Sequence, residues 1–163
     1  MDFNRLTEKA QQAIVAAQSL ALQYGHTEID GEHLLKALLD QQDGLLSRLI
    51  SKMGIPTDRL AESLEAELKR RPRVAGPGVE PGKVYISKRL GELLVRAEEE
   101  ARRLKDDYVS VEHIALAFID EGRDTAAGRI LADAGITRPA FLEALTAVRG
   151  NQRVTSPNPE QAY

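Results

Sequence analysis

The sequence predicts an all-α fold, with two pseudo-twofold-related four-helix repeats packed into one globular domain. Three observations predict it. Ala, Leu, Glu, Gln, Lys and Arg dominate the 163 residues, and aromatics are only 4%. No run alternates apolar with polar residues over the length of a strand, whereas apolar residues recur at helical spacing. Third, the chain is written twice. GEHLLKALLD (31–40) returns in the second half as VEHIALAFID (111–120). Glu32, His33, Ala37 and Asp40 recur as Glu112, His113, Ala117 and Asp120. Leu34, Leu38 and Leu39 recur as Ile114, Phe118 and Ile119, which keeps the apolar helical face.

The elements follow in order. A first helix spans about 7–24, with Thr7 as its N-cap hydroxyl and small residues Ala10, Ala13, Ala17 and Ala21 on its buried stripe, so that another helix can pack close. Ile29-Asp30, an apolar residue and an N-cap, opens the second at 31–40. The third, about 44–53, ends at Met53-Gly54-Ile55, where a glycine followed by an apolar residue signals a Schellman stop. The fourth, about 57–70, carries Leu60 and Leu64, and its basic end KRRPR (69–73) complements the helix dipole. The second copy repeats each signal. Ile86-Ser87 caps a helix at about 87–104, in which Leu94, Val95, Ala97 and Ala101 match Ile14, Val15, Ala17 and Ala21. Val109-Ser110 opens 111–120. After the gain of one position, Ala134-Gly135-Ile136 closes 124–134, and 138–148 carries Phe141 and Leu145. The organisation is therefore a repeat at 1–71, a joint at 72–83, a second repeat at 84–149, and a tail at 150–163 with no periodic apolar face, which reads as the start of a flexible linker.

The joint contains AGPGVEPGKVYIS (75–87), which has the look of a phosphate loop. The spacing fails. A loop of the form G-x-x-x-x-G-K-[ST] needs glycine where Pro77 stands and a hydroxyl where Val84 stands. Its prolines and glycines instead stop helices and allow turns.

Composition excludes further classes. A net charge of −3 with both signs balanced argues against nucleic-acid binding. No apolar run approaches the ~20 residues of a membrane helix, and MDFNRLTEK lacks the basic-then-apolar order of a signal peptide. A chain without cysteine has no disulfides and suits the cytoplasm.

Few residues could carry chemistry. In Glu32-His33 and Glu112-His113 adjacent side chains point about 100° apart on a helix, so neither pair converges on one ion, and a structural role for both histidines outweighs a metal site. His26 has no histidine partner in the other copy. Glu32 and Glu112 stand at the second position of their helices, where a carboxylate offsets the helix dipole by ~0.3–1 kcal/mol. Presented symmetrically, they could also receive cationic groups of a partner. No serine lies in a nucleophile-elbow context, so the chain is not expected to be an enzyme. EEEARR (98–103) reads as a solvated face with Glu98–Arg102 and Glu99–Arg103 pairs.

With the duplication established, the chain resembles the double-repeat N-terminal domain of Clp-type AAA+ chaperones. The carrying residues are FNRLTEKAQQAIVAAQSLA, IDGEHLLKALLD and YVSVEHIALAFID, with MGI and AGI closing the third helix of each copy. RRPRVAGPG and NQRVTSPNPEQAY look like the ClpB-type disaggregase branch. The resemblance implies a substrate-docking module without a cofactor of its own. ATP and Mg would belong to ATPase modules of a larger, homohexameric parent. That parent would act on unfolded or aggregated client proteins with a DnaK-type chaperone system, and the isolated domain would be a monomer without nucleic-acid or membrane partners. It further implies that Thr7, Asp106 and Glu112 engage substrate, with Leu93, Leu94 and His113 near an apolar groove. Arg96, Glu100 and His113 stand where relatives can be apolar, which argues against a strongly hydrophobic groove. The alternative is adaptor or phosphoarginine docking at Glu32 and Glu112, as in the protease-associated branch. There the motif reads TEH, and here it reads GEH and VEH.

Overall fold

The computed structural model describes residues 1–74 and 84–163. The chain there forms α1 (Glu8–Gln23), β1 (Glu28–Ile29), α2 (Gly31–Asp40), α3 (Leu45–Lys52), α4 (Thr57–Arg70), β2 (Tyr85–Ile86), α5 (Lys88–Arg103), α6 (Val111–Asp120), α7 (Ala126–Asp133) and α8 (Arg138–Arg149), with three short 3-10 turns. Most of the expected joint, 75–83, lies outside the described residues.

Local chemistry sets these boundaries. The hydroxyls of Thr7, Ser87, Thr125 and Thr137 each accept the N–H three residues on, at 3.0–3.3 Å. Gly54 and Gly135 take φ of +78° and +83°. There the Ile55 N–H reaches the Ile50 carbonyl and the Ile136 N–H the Leu131 carbonyl, the six-to-one bond of a Schellman stop. The same bond closes α1 at Gly25 and α5 at Lys105. Lys105 is a lysine holding φ of +59° where its counterpart is glycine.

α2 and α6 form the centre. Leu34, Leu35, Leu38, Ile114, Leu116 and Phe118 have no solvent exposure, and burying each such side chain contributes about 1.5–3 kcal/mol. α1 covers α2 and α5 covers α6, the alanine stripes allowing close approach. The repeats interlock: α3 packs on α8 and α7 packs on α4. Leu6 bridges to Val109, and Ile86 pairs with Ile29. Replacing each residue by its counterpart in the other repeat turns one of these pairings into the other, as a twofold requires.

Two readings of the sequence need adjustment. In EEEARR, Glu98 and Arg102 stand 3.9 Å apart, but Arg103 pairs with Glu100 at 3.1 Å rather than with Glu99. Glu100 is 3% exposed and takes both guanidinium nitrogens of Arg138 at 2.9 and 2.7 Å, so this side of the run faces inward. The aperiodic segment 150–163 lies along the body. The Asp107 N–H donates to the Val154 carbonyl and the Glu8 N–H to the Pro157 carbonyl, both at 2.8 Å, and Val154 is fully buried. Single anchors hold it, which is why no periodic face betrays the contact.

Candidate functional site

Four of the residues expected to engage substrate converge at the start of α6. Lys105, in its left-handed conformation, turns Asp106 inward. One Asp106 oxygen receives His113 Nε2 at 2.7 Å. The other receives Arg149 and the Val154 N–H, the latter at 2.9 Å. Burial alone would raise the Asp106 pKa, but these donors outweigh it and hold the carboxyl below its ordinary range. His113 Nδ1 accepts the Ser110 N–H at 2.8 Å, closing a capping box with histidine in the place of the usual Glu or Gln. That bond assigns the proton to Nε2, facing Asp106. Glu112 is fully buried. It accepts from the Ser110 hydroxyl and, at 2.5 Å, from the Tyr163 hydroxyl, with Arg149 3.6 Å away.

Thr7 joins this cluster through the tail. Its hydroxyl donates to Glu160 Oε2 at 2.5 Å, and the Val111 N–H donates to the same oxygen at 3.2 Å. Burial pushes the Glu160 pKa up, and the neighbouring Glu112 adds to the rise. Its second oxygen is buried without a partner among the described residues. Arg48 donates to the carbonyls of Glu160 and Tyr163 at 3.1 and 2.6 Å. A cleft of about 520 Å³ opens alongside, between Lys9, Arg48, Val111, Glu160 and Tyr163.

Leu93 and Leu94, expected beside an apolar groove, are elsewhere. With Leu90, Ala97 and Ala101 they form the buried stripe of α5, whose i, i+3, i+4 spacing turns them into the core. The exposed apolar residue of that stretch is Val95.

The first repeat builds the matching station differently. Fully buried Glu32 takes Arg71 on one oxygen and the Ala127 N–H at 2.9 Å on the other, with Arg89 3.6 Å away. His33 Nδ1 accepts the Asp30 N–H, as His113 does from Ser110, but its Nε2 meets His26 Nδ1 at 2.8 Å. His26 is the first-repeat counterpart of Asp106, so a His–His pair replaces an Asp–His pair. Burial first, then His26 and Arg71, depress the His33 pKa to about 4. Among the described residues no three His, Cys, Asp or Glu side chains converge as metal ligands.

Sequence reasoning missed Arg149, Glu160 and Tyr163. Arg149 could have been flagged as a lone cation ending α8. Glu160 and Tyr163 carry no local signal.

Comparison with known proteins places these features in context. The Clp repeat (R) N-terminal domain family matches residues 5–134. A curated relative, chaperone protein ClpB of Nitratidesulfovibrio vulgaris, is 49% identical over the whole chain, which spans 19% of that relative's length. Among solved structures, the Hsp104 N-terminal domain from Candida albicans superposes with a TM-score of 0.79 at 24% identity, covering 95% of this chain and 98% of that one. A ClpV N-domain in complex with a VipB peptide gives 0.72 at 22%, covering 97% and 91%. At such identities the solved structures establish the fold.

Proposed function

The chain belongs to the Clp repeat N-terminal domain family, and from that premise we propose that it is the protein-docking domain of a ClpB-type chaperone. In this reading it holds exposed segments of unfolded or aggregated client proteins and performs no catalysis itself. The parent is an ATP-driven cytoplasmic homohexamer that works with a DnaK-type system. The 49% identity to a ClpB chaperone along all 163 residues supports the parentage. Among the described residues no helix is long and apolar enough to cross a membrane.

One observation carries the docking reading. Thr7, Asp106, Glu112 and His113, drawn from three separate stretches of sequence, meet beside a cleft walled in part by the turn of chain at Glu160–Tyr163. Arg48 holds that segment by its carbonyls, a mode of binding indifferent to side-chain identity and suited to many clients. The peptide bound by the ClpV N-domain is a parallel within the same fold. Phosphoarginine docking at Glu32 and Glu112 would require these carboxylates to exchange their internal partners Arg71 and Arg149 for the ligand.

The test is a titration of the nitrogen-15-labelled chain with a permanently unfolded, carboxymethylated model protein, without nucleotide. Amide shifts should move at Thr7 and Val111–His113. Unmoved spectra at client concentrations on the order of 1 mM, the weak end of specific binding, sink the proposal.

A further inference from the structure

The two repeats place a carboxylate at the same station by different means, and the difference identifies what the cleft selects. In the first repeat Asp30 Oδ1 accepts the Gly31 N–H at 2.8 Å and the Ser87 hydroxyl at 3.0 Å. The counterparts of those donors under the twofold are the Val111 N–H and the Thr7 hydroxyl, and the residue at the Asp30 position is Ser110. Serine brings no carboxylate. Glu160 supplies it from the far end of the chain, accepting from both donors. The first repeat thus carries its anion built in, whereas the second borrows one.

We propose that the Thr7–Glu112 site recognises segments that fold into a single turn bearing a carboxylate followed three residues later by a hydrogen-bonding aromatic, and that Glu160–Tyr163 occupies it as a tethered competitor of clients. This rests on the docking reading and names the ligand class of that site. Thr7 and the Val111 N–H read the carboxylate, Glu112 reads the phenolic hydroxyl, and Arg48 reads the main-chain carbonyls of the same two residues. The occupant is held exchangeably. Its only regular structure is one 3-10 turn, Pro159–Gln161. Its carboxylate leaves one buried oxygen without a partner among the described residues, beside the like charge of Glu112, and a buried acceptor left without a donor works against the bound state. A client segment with the same groups can therefore displace it.

The test uses a fluorescent, C-terminally amidated peptide VTSPNPEQAY, with anisotropy as the readout. It is titrated with three proteins: the intact chain, its Glu160→Gln/Tyr163→Phe variant, and a chain ending at Thr155. The last keeps Val154 on Asp106, so the fold retains that anchor. Both altered chains should bind at least about tenfold tighter than the intact one, because a tethered competitor acts at an effective concentration on the order of 1 mM. A peptide with glutamine for the glutamate should lose the gain, and the unfolded model protein should displace the bound peptide. Equal affinity for intact and altered chains, or indifference to that glutamine, overturns the inference. A client that moves amides elsewhere without displacing the peptide also overturns it and leaves the docking reading standing. Tight peptide binding with no client bound to any of the three chains supports tail occupancy and refutes docking.

Discussion

Acid should weaken this fold through His33, and glutamine at that position should remove the effect. His33 is 1% exposed, and both ring nitrogens are committed: Nδ1 to the Asp30 N–H, Nε2 to His26. A second proton would set a donor against the Asp30 donor. The folded pKa is about 4 against 6.5 for a free histidine. For a base depressed on folding, the stabilisation is complete above 6.5. It is lost as pH falls from 6.5 toward 4, where the unfolded chain binds the proton and the folded chain does not. At about 1.4 kcal/mol per tenfold difference in proton affinity, the full effect is about 3 kcal/mol, of which about 2 falls between pH 7 and pH 4.5. Urea denaturation followed by circular dichroism at both pH values measures it. His33→Gln keeps the capping box, since glutamine is an ordinary partner at that position, and cancels the titration. Wild type should lose about 2 kcal/mol more than the variant between the two pH values. Equal losses would refute the assignment of a buried, neutral His33.

Two more predictions concern the second repeat. Lys105→Gly should raise stability by about 0.5–1 kcal/mol, because it gives the left-handed stop of α5 the residue that α1 already has at Gly25; an unchanged denaturation midpoint would contradict this. Glu121→Gln should stabilise the fold by about 1–2 kcal/mol at pH 7. Burial raises the Glu121 pKa to about 6, partly offset by the Thr125 hydroxyl, so its charge is disfavoured at neutral pH. The sign runs opposite to His33: the gain should vanish below about pH 4.5, where the acid is neutral in both states, and a gain independent of pH would refute the cause.

What the sequence revealed was local or periodic. Thr7 and Ser87 announce their helices by type and position, Gly54 and Gly135 announce stops, and the alanine stripes announce a close-packed face. The duplication then ties these into one architecture. What stayed hidden depends on partners distant in sequence. Glu100 looks solvated inside EEEARR because its partner Arg138 is on another helix. The two-residue strands are too short to show alternation. Thr7, Asp106, Glu112 and His113 were singled out by resemblance, and no spacing rule joins them. Their meeting depends on Arg149 and on a tail whose contacts are single side chains. Leu93 and Leu94 show the limit of resemblance: their own helical spacing already pointed them inward.

The exchange of pairings, 6 with 109 and 86 with 29, makes the chain an isologous dimer carried on one polypeptide. A twofold closes after two units. The surface that either repeat would present to another copy is therefore consumed within the molecule, and the assembly ends at two. Fusion also frees the halves from being identical. A free homodimer must carry Asp30 twice or not at all, whereas here one subunit keeps the aspartate and the other has serine, so a single chain offers one sealed station and one that takes a guest.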